Sequence, residues 1–371
     1  MQKRLMVLGA GPGQLPIIQR AVAMGCHVIT VDYLPDNIGH KLSQASVNCS
    51  TVDVAGVLAA ARELRVDGIV TFASDVATAT VGAVAAALGL PGCPPAVAET
   101  MSNKARFRRF QAERPSLKSP GFTAGTEFAV IAPQIEALRW PVMFKPVDTS
   151  GSRGVTSVAT FDMDACAAAF AYAQQYSRSG LVCAEEYVEG EDVSGDGFLV
   201  QGQLYAVITQ KYKQGYVPTG HSLPTHLSRL DQDRIFAEVM ATCAALGYTD
   251  GPIDFDVRVA PDYVTVLEMS PRLGGNGIPM LVARSTEFDL VKATIHYALG
   301  APVHFPARLE VIHGSGSLVW GSASAGQVVR VATSEDVHRA VSEVFQCVIN
   351  CRPGDDVNAF THGGEFGIRV V

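Results

Sequence analysis

Two acidic residues twelve positions apart open the chemical reading of this sequence. Asp256 lies in Asp254-Phe255-Asp256 at the start of one apolar run, and Glu268 ends the next, Val264-Thr-Val-Leu-Glu268. If the runs pair as strands the carboxylates converge, and Mg²⁺ bridging phosphate oxygens needs such a pair. Arg272 follows in Ser270-Pro-Arg272, a planar donor suited to phosphoryl or carboxylate oxygens. Lys145 ends Pro141-Val-Met-Phe-Lys145, and Thr149-Ser150-Gly151-Ser152-Arg153-Gly154-Val155 comes next. Small residues there let backbone N–H groups close over phosphates. Glu185-Glu186-Tyr187-Val188-Glu189-Gly190-Glu191-Asp192 puts five acids in eight residues at a strand end. Such an end can offer backbone groups to an adenine edge and a carboxylate to ribose hydroxyls. Each signal alone has a plainer reading: a turn, a solvated acidic edge, a surface ion pair. The phosphate loop G-x-x-x-x-G-K-[ST] is absent, with no Gly-Lys pair anywhere.

The elements that must position these residues fall into three stretches. Residues 1–95 alternate strand-like and helix-like pieces, which argues a parallel sheet with covering helices. Pro91 to Pro95 breaks that pattern, and a helix around Ser102–Gln111 precedes a loop rich in Pro, Ser and Gly. Residues 96–300 then read as α+β. Strands are expected at Val142–Lys145, Val155–Ala159, Leu181–Glu186, Ser194–Val200, Leu204–Thr209, Phe255–Val259 and Val264–Glu268, with helices at Met163–Tyr176, Gln232–Leu246 and Phe288–Leu299. Residues 301–371 read as short β-like pieces with Gly-rich turns, through Gly363-Gly364.

Composition bounds the partners. The chain has 371 residues, 48% hydrophobic and 18% charged, with a net charge of −7. That is ample for packed cores and lacks a chain-wide basic footprint for nucleic acid. The uncharged stretch Val76–Ala98 contains Pro91, Pro94 and Pro95 and reads as a buried Ala-rich helix and loop, so no membrane span is expected. The eight cysteines sit mostly in apolar runs, as buried thiols of a cytoplasmic protein would. Gly9-Ala-Gly-Pro-Gly13-Gln14, with Asp32 ending the next strand, sits where a dinucleotide fingerprint would, but Gln14 replaces its third glycine. A Rossmann-like turn without a nicotinamide is the favoured reading.

In their order and spacing these motifs resemble the ATP-grasp superfamily, especially carboxylate–amine ligases related to carbamoyl phosphate synthetase, biotin carboxylase and the purine-pathway carboxylases. The resemblance covers nearly the whole chain. It implies a Rossmann-like pre-ATP-grasp domain over residues 1–95, a two-subdomain ATP-grasp domain over 96–300 and a small, mostly-β C-terminal domain over 301–371. By similarity Lys104 and Lys145 are the two ATP lysines, and Ser150, Gly151, Ser152, Gly154 and Val155 form the phosphate loop. Glu185, Glu186, Tyr187 and Val188 match the adenine-binding strand. Asp192 falls where the family has its ribose-binding acid, with Glu191 the neighbouring candidate. Asp256 and Glu268 match the metal ligands and Arg272 the family arginine. Where relatives commonly carry Asn two residues after the second metal acid this chain has Ser270, a third metal-ligand candidate whose hydroxyl can still ligate or hydrogen-bond through a water, with Asn276 nearby.

The reaction so implied uses ATP with two Mg²⁺ (or Mn²⁺) ions to turn a small carboxylic acid into an acyl phosphate. A small amine or amino acid then takes the acyl group. His221, in the segment Lys211–Pro224, is a candidate to orient substrate or accept a proton. Lys211, Lys213 and Arg284 are candidates for fixing an acidic substrate, and Ser74-Asp75 for facing the site from the first domain. A non-catalytic ATP-binding protein of the same origin, or a carboxylase using bicarbonate, are the alternatives. A homodimer is left open.

Overall fold

Short β-branched runs, each followed by a helix, build a parallel sheet at the start of the chain. In the computed structural model, which describes residues 2–362 and 366–371, its strands are β1 (Arg4–Leu8), β2 (His27–Asp32), β3 (Ala45–Asn48) and β4 (Gly68–Thr71), in the order β3-β2-β1-β4. The expected Gly363-Gly364 turn lies outside the described residues. Strands β1, β2 and β4 are buried almost throughout, because helices α1 (Leu15–Ala23), α2 (Val54–Glu63) and α3 (Thr78–Leu88) leave no face of a parallel sheet open.

The helix expected around Ser102–Gln111 is α5 (Lys104–Ala112), and a further helix, α4 (Pro95–Met101), precedes it. Asn103 causes the break: its side chain caps α5 by accepting from Arg106 N–H at 3.0 Å. Then β5 (Phe122–Gly125), α6 (Phe128–Glu136), β6 (Val142–Pro146), β7 (Thr156–Val158), α7 (Met163–Gln175) and β8 (Val182–Glu186) form a four-stranded antiparallel sheet, order β5-β8-β6-β7, with α6 and α7 packed on it.

The next strands are β9 (Glu191–Val200), β10 (Gln203–Gln214) and β11 (Val217–Leu223); after α8 (Arg229–Leu246) come β12 (Gly251–Val259) and β13 (Val264–Ser270). Helices α9 (Ile278–Thr286) and α10 (Leu290–Ala298) lead into a β-rich tail of β14 (Ser315–Trp320), β15 (Gly326–Gln327), α11 (Ser334–Ala340), β16 (Cys347–Ile349), β17 (Asp356–Val357) and β18 (Ile368–Val370). Three tail strands extend the sheet of the preceding region. The result is eight-stranded, ordered β13-β12-β9-β10-β11-β14-β18-β16.

Alternation sorts this sheet into two faces. Val193, Leu199, Ile253, Phe255 and Val257 pack against Ile235, Val239 and Cys243 of α8. The opposite face receives Ser194, Asp196, Asp254 and Asp256, with Asp256 paired to Ser194 and Asp254 to Asp196. A bulge puts Glu268 on that polar face. Val257 pairs with Val266 but Asp256 pairs with Glu268, so Leu267 is the extra residue, and it reverses the side on which Glu268 emerges.

The parallel sheet is joined to the rest by one core, in which Leu5, Val7, Ile17, Ile18 and Val70 meet Leu281, Val282, Leu290 and Ile295. Contact is closest at Gly68, where an added Cβ would stand 2.5 Å from the Ala298 carbonyl oxygen. Among the described residues no helix is long and apolar enough to cross a membrane. Gly68→Ala therefore forces backbone apart at this junction, and a loss of about 1–3 kcal/mol is expected in denaturant unfolding of the purified protein. An unchanged midpoint would show that β4 and α10 are free to separate.

Candidate functional site

The polar face of the large sheet and the end of the four-stranded sheet enclose two cavities. One, of about 130 Å³, is lined by Lys104, Lys145, Val155, Tyr187, Val188 and Asp192 among others. The second, of about 260 Å³, is lined by Asp75, His221, Asp254, Arg272, Asn276 and their neighbours. Ser150, Gly151, Ser152, Lys211, Asp256 and Glu268 line both. The small-residue loop and the two convergent carboxylates therefore stand at the junction.

The loop's residue types follow from its backbone. Gly151 and Gly154 have φ of +71° and +69°, and a Cβ at Gly154 would meet the Tyr176 ring at 2.9 Å. Ser152 is held at φ +61°, uncommon for a residue with a side chain. Its hydroxyl donates to Tyr216 O at 2.8 Å, and Tyr216 Oη donates to Ser157 Oγ at 2.5 Å. These bonds fasten the loop to the β10–β11 hairpin.

Charges in the smaller cavity are set by α5. Arg108, 1% exposed, donates from Nε to Glu185 Oε2 at 2.8 Å and from Nη2 to Leu267 O at 2.8 Å. Gln111, one turn on, donates to Val266 O at 2.9 Å. The same helix thus pins the bulge that aims Glu268 and the carboxylate that pairs with Lys145. Burial works against ionising Glu185, but Arg108 and Lys145 outweigh it and hold the carboxyl down at about 2. The Glu185 side chain is consequently committed to the protein. Glu186, Tyr187 and Val188 line the cavity, with Glu186 also paired to Arg139 at 3.3 Å.

Lys104 Nζ donates to Thr149 O at 2.8 Å and to Glu268 Oε1 at 3.2 Å. Burial lowers its affinity for the proton, but Glu268 and Asp75 more than restore it. Asp256 is hydrogen-bonded by Ser194 and by Lys211 Nζ, the latter at 2.9 Å. Despite burial, Lys211 and Ser194 hold the Asp256 carboxyl at about 2. Asp192 receives three cations: Lys213, Arg258 at 3.3 Å and Lys211 at 3.6 Å. Glu191 lies outside the cavity, engaged by Gln210 at 3.1 Å and His226 at 2.8 Å.

In the larger cavity the first domain supplies a wall. Asp75, just past β4, pairs with Arg272 through both Nε (2.8 Å) and Nη2, while Arg272 Nη1 pairs with Asp254. Asp254 faces Asp196 across strands. Burial, with repulsion from Asp256 and Asp75, pushes Asp254 up to about 7, and burial with repulsion from Asp254 pushes Asp196 well up, so the pair retains a proton near neutrality. Asp196 Oδ1 also accepts from Gly274 N–H at 2.8 Å. His221, 2% exposed, is pushed down to about 3 by burial and by Lys211. It is a neutral hydrogen-bonding group beside Thr209 Oγ1 at 3.1 Å. Ser270 is buried opposite Asp254 and lines neither cavity.

The donor set at the junction suits Mg²⁺. Asp256 and Glu268 give hard oxygen ligands, and Mg²⁺ takes one or two carboxylates with the rest from phosphate and water. Among the described residues no three His, Cys, Asp or Glu side chains gather to hold a metal alone. The glycine turn of the first domain has no such room. Gln14 folds over Gly9 and donates to Phe72 O at 2.7 Å. Asp32 is used by Ala10 N–H at 2.9 Å and Leu34 N–H at 3.0 Å.

Residues 138–280, which supply nearly all of the lining of both cavities, match the ATP-grasp domain family. The matched segment contains Lys145, the Ser150–Val155 loop, Asp256, Glu268 and Arg272, so the chain carries an ATP-grasp domain there. Over 99% of its length it is 26% identical to the formate-dependent phosphoribosylglycinamide formyltransferase of Bordetella bronchiseptica, covering 88% of that protein. Its fold aligns over 100% of the chain with the L-amino acid ligase from Bacillus licheniformis (TM-score 0.84, 21% identity, 92% of that chain). It also aligns over 100% with phosphoribosylglycinamide synthetase from Anaerococcus prevotii (TM-score 0.75, 17% identity, 93% of that chain).

Two residues at the centre of this arrangement, Arg108 and Asp196, carry no signal in the sequence. Arg108 stands among Arg106 and Arg109, and only the fold shows which of them turns inward. Because Glu185 titrates at about 2 when folded against an ordinary 4.5, its stabilisation is complete above about pH 4.5 and is lost as the pH falls toward 2. Arg108→Met removes the larger partner. The acid-unfolding midpoint should move to higher pH, with a loss of about 3–5 kcal/mol at neutrality. A wild-type acid profile in this variant would mean Arg108 does not hold Glu185.

Proposed function

We propose that this protein activates a small carboxylic acid with ATP as an acyl phosphate and passes the acyl group to a small amine or amino acid. The observation that carries this is the meeting of two cavities at Asp256, Glu268 and the Ser150–Ser152 loop. One side is rich in lysines, as polyphosphate requires. The other mixes acids with the guanidiniums of Arg153 and Arg272, as an acid and an amine together require.

A carboxylate resists attack by amines because it is a poor electrophile. When its oxygen attacks the terminal phosphorus of ATP, ADP leaves and the carbonyl carbon gains a phosphate leaving group. The amine nitrogen then forms the new bond to that carbon, phosphate departs, and the nitrogen loses a proton. Transfer of the phosphoryl group is mostly positioning and neutralisation of charge. Lys104 and Lys145 are the groups for the nucleotide phosphates, and backbone N–H groups of Ser150, Gly151, Ser152, Gly154 and Val155 close over them. Glu186, Tyr187 and Val188 border the adenosine end, with Asp192 at its ribose. Asp256 and Glu268 would hold Mg²⁺, which supplies charge neutralisation between the phosphates.

Arg272 is kept rigid by Asp75 and Asp254 at the edge of the acyl site. His221, neutral in this setting, is a hydrogen-bonding group for substrate rather than a proton acceptor. On this reading residues 1–95 close the acceptor cavity, 96–300 bind ATP and metal, and 301–371 extend the floor. Eight free thiols suit a reducing compartment, the cytoplasm.

The test is ADP release from purified protein screened with acids and amines in pairs. Signal is expected only when one acid and one amine are present together. With that pair, Glu268→Ala and Lys145→Ala should each lower turnover by about 10³-fold or more, on the scale of losing a preorganised charge partner. Near-wild-type turnover in Glu268→Ala would overturn the metal assignment.

A further inference from the structure

The face of the large sheet that lines the acceptor cavity continues beyond His221. Ser317 of β14 lies directly opposite His221. Two residues on, Val319 lies opposite Arg369 of β18, which in turn lies opposite Val348 of β16. Gln346 extends that pairing, since its N–H donates to Val371 O at 3.2 Å and its carbonyl accepts from Val371 N–H at 2.9 Å. Cross-strand partners, and residues two apart along a strand, emerge on one side. His221, Ser317, Gln346 and Arg369 therefore share a face.

On that face lie buried polar atoms without a partner: Ser317 Oγ, Gln346 Oε1, and Nε and Nη2 of Arg369. Arg369 is 6% exposed. Its neighbour is the Phe366 ring, 5.9 Å from the guanidinium carbon. A buried guanidinium without an anion is expensive, and an orphaned buried donor in a folded protein calls for a partner, which the described residues do not supply. Every other strongly buried arginine of the site has its carboxylate, Arg108 with Glu185 and Arg272 with Asp75 and Asp254.

We propose that Arg369, with Ser317 and Gln346, forms an oxyanion subsite for the far end of the acceptor substrate. A planar guanidinium takes a carboxylate or phosphate through two parallel donors, the Ser317 hydroxyl adds a third, and the Gln346 amide can turn its nitrogen to the same group. β18 is two strand spacings from β11, about 10 Å, so the acceptor carries its anion that far from the wall at His221. The assignment of this anion to an acceptor rests on the ligase reading; the binding of an oxyanion does not.

The test uses thermal unfolding of the full chain without ATP, titrated with acetate, glycine or ribose 5-phosphate against sodium chloride at matched ionic strength. A saturable rise in Tm is expected for wild type, a smaller one for Arg369→Lys and none for Arg369→Met. Response to acetate or glycine alone assigns a carboxylate, and response to ribose 5-phosphate alone a phosphate. With the acceptor found by ADP release, Arg369→Met should raise its KM by about 10- to 100-fold, the scale of one charged hydrogen-bonded contact, with a much smaller change in kcat. Should Arg369→Met not fold, Ser317→Ala serves in its place, with a partial loss of the same shift. No shift in wild type with any probe, or equal shifts in wild type and Arg369→Met, would overturn the subsite and mean that water satisfies these groups. Failure of every acid–amine pair to release ADP would sink the ligase reading and leave the binding result standing.

Discussion

A single guanidinium organises the nucleotide half of the site. Arg108 joins Glu185 on one sheet to the Leu267 carbonyl on the other, so the two sheets that enclose the smaller cavity share one buried donor. Through Glu185 it fixes the strand-end lysine, and through Leu267 it fixes the bulge that brings Glu268 beside Asp256. Desolvating a guanidinium is costly unless its donors are filled. Here they are filled by Glu185, Gln111 and Leu267. Charge placement in the smaller cavity is therefore a property of packing rather than of flexible surface side chains.

The larger cavity depends on a different bridge, Asp75 to Arg272 to Asp254. It crosses from the parallel sheet to the large antiparallel one and runs beside the core shared by α1, α9 and α10. Arg272 is thereby neutralised in place. A substrate carboxylate or acyl phosphate would meet a guanidinium already oriented by two acids, which trades raw attraction for a defined direction. The adjoining Asp196 and Asp254 pair keeps a proton near neutrality, so the cavity is less negative than its four lining carboxyls would make it if all were ionised.

Much of this was legible in the sequence, for physical reasons that differ by element. The parallel sheet announced itself because buried strands are continuous apolar runs. Asp256 and Glu268 announced themselves as acids on two successive apolar runs, although both lie inside β12 and β13 rather than at their ends, and the bulge at Leu267 that makes them converge has no local signature. Strand β11 did not show, because Val217-Pro-Thr-Gly-His-Ser-Leu223 carries Pro and Gly that read as loop; pairing with β10 and β14 overrides that composition. Helix α6 was hidden by Pro133 within it, and α11 by its setting among β-like pieces. Lys104, Lys145 and the Ser150–Val155 loop were recognisable as types in order. Which side each carboxylate serves was not, since Glu185 turned out to be a counter-ion and Asp192 a hub for three cations.

The fastening of the Ser150–Val155 loop to the β10–β11 hairpin has a practical corollary. Ser152 and Tyr216 hold the loop through two hydroxyl contacts, and Arg153 beside them is exposed. It is the only basic residue between Thr149 and Val155. Trypsin cleaves after such a residue only when the backbone can extend into the protease cleft, so nicking at the Arg153–Gly154 bond reports how often those hydroxyl contacts let go. A footprint of that one bond, taken across a series of small molecules, would sort them by whether they seal the loop or leave it ajar.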